Sequence, residues 1–369
     1  MQKNVIINGD SIEVMKSFPD ESIDLIFADP PYWMRTSGIL QRVEGTDFNG
    51  VDDEWDKFES NEDYSEFTRR WLSECKRILK KDGSFWVIGG MQCIYTIGGI
   101  MQELGFWFIN DVIWYKSNPT PNFKGTRLNN SHETLIWATK SEKSKYHFNY
   151  KTARELNLDT VTIDDFDKGI RKQLGSVWRF PVSSGNERLK DSNGNKLHNT
   201  QKPEDLLFRI IAISSEIGDL VLDPFGGTMT TGALAKRMGR DYIMIEREEK
   251  YCSYGQDRLD RELPVIGDIE KAVYDIKPIK VNMREMIEAG YFHINEKFVM
   301  KGIDDYGLLQ DDGKLQFKDK MFDMHTLAAK VRNVKADRLN GFDYWYVIRD
   351  NELKSISDVR EEFRKNKKS

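Results

Sequence analysis

Two short apolar runs in this chain stop at similar punctuation. Residues 24–28 (DLIFA) run into Asp29-Pro30-Pro31-Tyr32, and Leu220-Val221-Leu222 runs into Asp223-Pro224-Phe225-Gly226-Gly227-Thr228. A buried strand that ends at a carboxylate and then turns sharply is how an open α/β sheet presents ligand-binding groups at its carboxyl edge. The surrounding pattern agrees. Val5-Ile6-Ile7 forms a strand that ends at Asn8-Gly9-Asp10, and Ser11 is placed to cap a helix running to about Met15. Tyr64, Phe67, Trp71, Leu72, Cys75, Ile78 and Leu79 recur at three and four, so a helix is expected over 61–80, broken by Lys81-Asp82-Gly83. Strands follow at 84–88 and 112–115. After an irregular stretch the alternation resumes: a helix over 203–216 with Pro203 in its first turn, the strand into Asp223, a helix over 229–238, and a strand ending at Glu246. Strands alternating with helices predict an α/β fold with a mainly parallel sheet.

At 369 residues the chain has room for about two domains. The strand–helix alternation fades near Arg261. Residues 1–262 are therefore read as one catalytic domain, 263–280 as a linker, and 281–369 as a small α+β domain that binds DNA. In the small domain a helix is expected over about 324–334, with an aromatic strand over 342–347 (FDYWYV). Within the first domain, 34–60 and 117–202 are long and poor in regular pattern, as substrate-recognition loops often are. No apolar run approaches the roughly 20 residues of a membrane span, and the first residues lack a signal-peptide shape. Cys75, Cys93 and Cys252 stand far apart, which argues against a disulfide framework and a cysteine-rich zinc site, and for a cytoplasmic setting. His132, His147, His293 and His325 show no metal spacing, so no metal is expected. The net charge of −5 gives no nucleic-acid signature for the whole chain. It conceals a basic segment, residues 116–154, with eight basic residues against two acidic ones, and a slightly basic tail, residues 271–369, with 20 against 17.

The two strand-end motifs carry the chemistry. In Asp223-Pro224-Phe225-Gly226-Gly227-Thr228 the glycines let a ligand approach the backbone, and Glu246 at the end of the next strand suits the two hydroxyls of a ribose. The absence of GxGxxG argues against a nicotinamide or flavin dinucleotide. In Asp29-Pro30-Pro31-Tyr32 the prolines stiffen the backbone and remove two N–H donors. The Asp29 carboxylate and the Pro30 carbonyl are then two fixed acceptors, matched to the two hydrogens of an exocyclic amine on a nucleobase. Holding both hydrogens favours a tetrahedral nitrogen and frees a lone pair that is otherwise delocalised into the ring. Tyr32 offers a face for stacking the base.

With both motifs present, ADPPYW followed by DPFGGT 194 residues later, the chain resembles the S-adenosylmethionine-dependent DNA amino-methyltransferases in the permuted, β-class order. Asn8-Gly9-Asp10 matches that family's cofactor-adenine segment. His198-Asn199-Thr200-Gln201-Lys202-Pro203 matches its HxTQKP segment, which closes over the methionine end of the cofactor. VDDEWDKF (51–58), residues 105–140, residues 187–203 and LNGFDYWYV (339–347) resemble the subgroup of the HinfI methylase and the cell-cycle methylase CcrM. The resemblance implies a Rossmann-like methyltransferase fold and S-adenosyl-L-methionine as cofactor. It implies Asp10, Asp29, His198, Thr200, Gln201, Lys202, Asp223, Phe225, Gly226, Gly227, Thr228 and Glu246 as cofactor-binding residues, with Asp29, Pro30, Pro31 and Tyr32 catalytic. It also implies methylation of adenine N6 in GANTC on locally opened double-stranded DNA by a homodimer at the nucleoid. Two positions depart from the family pattern: Met229 stands where the loop usually has its last glycine, and Trp33 where the tetrapeptide is usually followed by Asn.

A target amine inside a duplex has to be extruded. Leu40 and Arg42 follow the catalytic residues on the 34–60 segment and are candidates for wedging the opened strand or gripping it. Asn118, Asn122, Lys124, Arg127 and Asn129 in the second loop, with Arg188 and Lys190, are candidates for base and phosphate contacts. Trp71, Trp86, Trp107, Trp114 and Trp137 fall on helix or strand patterns and are expected in the core. The alternatives to an adenine enzyme are a cytosine-N4 methyltransferase of the same fold, where Ser often replaces Asp29, and a catalytically silent DNA-binding relative, which tends to lose the acid or the tyrosine.

Overall fold

The computed structural model describes residues 1–33, 39–41, 47–49, 56–122, 125–185, 187–189, 194, 197, 200–265, 267–268, 281–334, 336–349 and 352–368. The chain divides into two compact units, Met1–Asp275 and Ile276–Ser369.

The first unit runs β1 (Val5–Asn8), α1 (Ser11–Lys16), β2 (Ile23–Ala28), β3 (Ile39–Gln41), β4 (Asp47–Asn49), α2 (Asn61–Ile78), β5 (Leu79–Gly89), α3 (Ile94–Glu103), β6 (Trp107–Lys116), β7 (His132–Thr139), α4 (Tyr150–Glu155), α5 (Ile163–Asp167), β8 (Val177–Phe180), α6 (Glu204–Ser214), β9 (Leu220–Asp223), α7 (Thr230–Arg237), β10 (Asp241–Glu246) and α8 (Glu249–Arg261). Eight strands form one sheet in the order β1-β10-β9-β2-β5-β7-β6-β8. Pairing is parallel from β1 to β5 and again between β6 and β8, and β7 lies antiparallel to both its neighbours. The sequence reading lacks β7. Its residues 132–139 are a half-polar, then apolar run whose place was hidden inside a segment read as loop.

The two motif strands, far apart in the chain, are neighbours. β2 pairs β9 with Leu25 opposite Val221 and Ile26 opposite Leu222. From β9 the sheet proceeds through β10 to β1, and from β2 it proceeds the other way to β5. The junction of β2 and β9 is thus the point where the winding reverses, and ligands of open α/β sheets sit at that point. Two apolar layers clamp the sheet. One joins Met15 of α1, Trp71, Leu72 and Cys75 of α2, and Ile97 and Met101 of α3. The other joins Leu206 and Ile210 of α6 with Ala233 and Leu234 of α7.

Several expectations change in detail. Asp10, not Ser11, caps α1: its Oδ1 accepts from the N–H groups of Ile12 and Glu13 at 3.0 and 3.1 Å. The Lys81-Asp82-Gly83 break is an irregularity inside β5, where the register against β2 jumps from Leu79 to Ser84. Pro203 is the N-cap of α6 instead of part of its first turn. The stretch read as irregular after residue 151 contains α4, α5 and β8. Trp71, Trp86, Trp114 and Trp137 are buried, but Trp107, at the start of β6, is 48% exposed. Residues just past α8, expected in a linker, are tied to the first unit. Val265 donates to the Arg237 carbonyl at 3.0 Å, and Asp268 pairs with Arg237 at 3.0 Å.

The second unit is α+β. It holds α9 (Met283–Glu288), β11 (Lys297–Met300), β12 (Ile303–Leu309), β13 (Leu315–Phe317), β14 (Lys320–Phe322), α10 (Met324–Val331), β15 (Tyr346–Arg349), β16 (Glu352–Ser355) and α11 (Ile356–Lys368). Its strands make an antiparallel sheet, β14-β13-β12-β11-β15-β16. The expected aromatic strand over 342–347 splits: Gly341–Asp343 is a 3₁₀ turn, and only Tyr346 begins a strand. Trp345 is fully buried, and its indole N–H donates to the Met324 carbonyl at 2.9 Å.

Candidate active site

A cavity of about 250 Å³ opens at the carboxyl ends of β2, β9 and β10 and brings both motifs to one place. Asp29, Pro30 and Tyr32 line it from β2, Phe225, Gly226 and Gly227 from β9, and Glu246 from β10, with Asp10, Thr200 and Lys202 contributing from elsewhere.

On the β9 side the backbone is arranged by buried acids. Asp223 accepts from the Thr231 hydroxyl at 2.6 Å and from the Phe225 N–H at 3.0 Å, which fixes the turn. Burial pushes its carboxyl up to about 7, against the pull of those two donors. Glu246 accepts from the Gly227 N–H and the Glu248 N–H, each at 2.8 Å. Its carboxyl is raised by burial, opposed by those N–H groups. Phe225 packs edge-on against Trp71 at 5.4 Å, so its ring anchors the turn to α2.

The Met229 departure is absorbed by its surroundings. Met229 sits at φ 56°, the left-handed conformation that a glycine would adopt without strain, and its side chain is fully buried. The room comes from α8, where a Cβ on Gly255 would lie 2.2 Å from Met229 Cγ. The second departure is also a packing matter. Trp33, at φ 51°, stacks on Tyr64 at 5.7 Å, and its N–H donates to the buried Asp56 at 2.6 Å. The Tyr64 hydroxyl in turn donates to the Pro31 carbonyl at 2.9 Å. The Asp29-Pro30-Pro31-Tyr32 turn is therefore braced from behind by an aromatic group.

On the β2 side the acid is not isolated. Asp29 Oδ2 accepts from Lys202 Nζ at 2.7 Å, and Oδ1 is buried with no hydrogen-bond partner among the described residues. Lys202 Nζ also lies 5.1 Å from the Tyr32 ring centroid and 4.0 Å from Glu133. Glu133, near the start of β7, accepts from the Tyr32 hydroxyl at 2.9 Å and from Lys116 at 2.7 Å. Burial raises the Asp29 carboxyl, and Lys202 pulls it back. Burial works against the Lys202 ammonium, but Asp29 and Glu133 outweigh it and hold it above its ordinary value. The Glu133 carboxyl is held below its ordinary value: burial would raise it, and Lys202 and Lys116 overcome that.

The other sequence candidates divide. Gln201 braces the wall of the site, accepting from the Leu189 N–H at 3.0 Å and donating to the Glu187 carbonyl at 2.8 Å. Thr228 is buried, and its hydroxyl meets that of Thr230 at 3.1 Å. Asn118 accepts from the Val182 N–H, and Asn129 from the Asn122 N–H, each at 2.8 Å, so both amides shape their loop. Arg127 donates to Asn130 at 2.8 Å from an exposed position. Arg188 is half-buried and donates to the Ser183 carbonyl at 3.3 Å. Arg42, Lys124, Lys190 and His198 lie outside the described residues. Leu40 is described only as part of the β3–β4 hairpin, opposite Phe48. Among the described residues no cluster of three or more potential metal ligands occurs, and no helix is long and apolar enough to cross a membrane. Glu133 was not singled out from sequence. The one signal was a charged residue heading the apolar run TLIWA.

Comparison with known proteins places this geometry. The family described as DNA methylase, which groups N6 and N4 enzymes, matches residues 23–257. The chain is 48% identical over 360 residues to the type II methyltransferase M.HinfI of Haemophilus influenzae, covering 98% of this chain and 96% of that protein. It is 37% identical over 262 residues to the type II methyltransferase M2.DpnII of Streptococcus pneumoniae, covering 70% of this chain and 91% of that protein. In fold it is similar to the PvuII DNA methyltransferase (cytosine-N4-specific), with TM-score 0.52 and 23% identity over 74% of this chain and 92% of that one. A cradle of glycine backbone at Gly226 and Gly227, with the Glu246 carboxylate beside it, fits a nucleoside-bearing methyl donor. The chain belongs to the DNA methylase family, as an S-adenosylmethionine-dependent DNA methyltransferase of the HinfI type.

Proposed function

We propose that the chain methylates N6 of adenine in double-stranded DNA, at GANTC, on a base extruded from the helix. The observation that carries the chemistry is Asp29 Oδ1, buried with no hydrogen-bond partner among the described residues, in a turn whose Pro30 lines the same cavity. The near full-length similarity to M.HinfI supports the sequence specificity. The cofactor, when bound, supplies an electrophilic methyl group on a sulfonium sulfur. Asp29 Oδ1 and the Pro30 carbonyl accept the two hydrogens of the target amine and direct its lone pair outward. The amine nitrogen would take the methyl group as its bond to sulfur breaks, with the electron pair left on the thioether; the amine then gives up one proton, and Asp29 Oδ1 is the acceptor at hand. Tyr32 stacks on the base. In the cell this work is done on cytoplasmic or nucleoid DNA, by a dimer that treats both strands of the site.

The decisive test is to incubate the protein with cofactor and unmodified DNA and to map the modified bases. N6-methyladenine confined to GANTC is expected. N4-methylcytosine would move the chain to the other amine, and a lack of any transfer would make it a silent relative.

Glu246 is assigned to the ribose hydroxyls, and its two backbone partners leave lone pairs for them. Glu246→Gln is expected to weaken cofactor binding about ten- to hundredfold, since a hydrogen bond to a charged acceptor is worth roughly 1.5–3 kcal/mol. Calorimetry returning the parent affinity would remove the residue from the cofactor site.

The second unit is assigned to DNA. Lys330 lies over Phe322 at 4.7 Å and Arg332 over Tyr344 at 4.7 Å, while Arg338 pairs with Asp323 at 3.2 Å. Lys330 and Arg332 rest on half-buried aromatic rings, and such pairs suit the backbone of opened DNA. Replacing Lys330, Arg332 and Arg338 with Gln is expected to lower DNA affinity and to flatten its dependence on salt, because fewer counterions are released. A salt slope identical to that of the parent would detach this surface from DNA binding.

A further inference from the structure

We infer that Glu133 is a positioning residue for methyl transfer: it anchors the Tyr32 hydroxyl and balances the Lys202 ammonium that pairs with Asp29. The inference rests on the reading that Tyr32 and Asp29 face the target base. Tyr32 and Asp29 come from the end of β2, Lys116 from the end of β6, Glu133 from β7, and Lys202 from the segment before α6. Two carboxylates, two ammoniums and one phenol from four parts of the fold meet in a buried group of zero formal net charge.

Glu133 is its centre. Oε2 accepts from the Tyr32 hydroxyl at 2.9 Å, Oε1 accepts from Lys116 at 2.7 Å, and Lys202 stands 4.0 Å away. A tyrosine ring on a turn has two side-chain torsions to settle. A hydrogen bond to an ionised, largely buried acceptor fixes the far end of the ring. The stacking face is thus set before any base arrives. The same carboxylate draws on Lys202 from 4.0 Å, while Lys202 donates to Asp29 Oδ2 and not to Oδ1. Without Glu133, Lys202 keeps Asp29, the Thr200 carbonyl and the Tyr32 ring, and Lys116 is left half-buried beside Trp114.

The test uses the full chain and a duplex carrying one GANTC site, with single-turnover transfer, steady-state KM for DNA, cofactor affinity by calorimetry and thermal unfolding measured for each variant. Glu133→Gln is expected to lower the transfer rate about ten- to hundredfold, the scale of a lost charge-assisted hydrogen bond. Cofactor affinity should stay within about twofold, and KM for DNA should change less than the rate. Tyr32→Phe removes the other end of the contact. If Glu133 acts through Tyr32, the double variant should be no slower than the worse single one, whereas independent roles would multiply the losses. Because Glu133→Gln leaves an excess of positive charge, Glu133→Gln with Lys116→Met restores the balance and separates loss of folding from loss of positioning. A normal unfolding temperature with slow transfer in that variant supports the inference. Normal transfer in either Glu133 variant, or losses that multiply with Tyr32→Phe, overturns it. A parent protein that transfers no methyl group to DNA defeats instead the reading on which the inference rests, and that result is visible before any variant is made.

Discussion

Asp29→Ala is expected to stop methyl transfer while the protein still binds its cofactor. The loss should reach about 10²- to 10⁴-fold, the range for removing a group that takes a proton in the transition state. The structure adds a reason and a complication. The reason is that Oδ1 is a buried carboxylate oxygen with no hydrogen-bond partner among the described residues, and alanine puts no acceptor in its place. The complication is Lys202, which loses its partner at 2.7 Å and retains Glu133 at 4.0 Å. Breaking one side of a buried ion pair commonly costs about 3–5 kcal/mol, so the variant is to be assayed well below its unfolding temperature. Asp29→Asn controls for this, because it keeps the shape and an acceptor oxygen while losing the charge. Transfer assays with labelled cofactor and calorimetric cofactor affinity, measured side by side, decide the matter. Turnover at the parent rate in Asp29→Ala would remove the acid from the reaction.

Lys202→Met should give a comparable loss at neutral pH, but one that depends on pH. Burial raises the Asp29 carboxyl and Lys202 opposes that rise. Without Lys202 the carboxyl moves up again, since Glu133 beside it pushes in the same direction. Asp29 is then protonated over a wider range, and its acceptor role fails there. The acid limb of the rate profile is therefore expected at higher pH than in the parent, with activity returning as the solution is made more alkaline. The stability consequence has the opposite slope. A carboxyl whose folded value lies above its unfolded value contributes its stabilisation fully below the unfolded value and loses it as pH rises through the folded one. Thermal unfolding of Lys202→Met should accordingly fall further below the parent at alkaline than at acidic pH. A rate profile that superimposes on the parent's would show that Lys202 does not keep Asp29 ionised. Lys202 also holds down the Glu133 carboxyl, so both acids of the group move upward in the variant.

The departures from the family pattern show how a neighbour can absorb an awkward residue. Met229 takes a backbone conformation suited to glycine, and Gly255, two elements later, clears the space its side chain fills. Any side chain at Gly255 would collide there. The pair is legible only once α7 and α8 are packed together, because 26 positions of chain separate them and helical spacing says nothing about them. Trp33 likewise resolves into a stack on Tyr64 that braces the catalytic turn.

What the sequence by itself determined is local. Apolar runs ending in Asp29-Pro30-Pro31-Tyr32 and in Asp223-Pro224-Phe225-Gly226-Gly227-Thr228, with Glu246 one strand on, are statements about a few consecutive residues, and the class of fold and the chemistry of the cofactor turn follow from them. Helix α2 was equally plain, because its apolar spacing repeats over 18 residues. The tertiary structure alone decided which distant residues meet. It seated β7 antiparallel between β5 and β6 and so delivered Glu133 to Tyr32. It paired Lys202 with Asp29 at the wall of the cavity, and it set the Gln201 amide on the backbone of Glu187 and Leu189. It made Asp10 the cap of α1, a task sequence spacing had given to Ser11. The physical reason is common to all of these. Propensity, capping and periodicity act over one or two turns of chain, whereas a buried charge is stable only beside its counter-charge, and in this fold those partners come from strands and segments up to 173 residues apart.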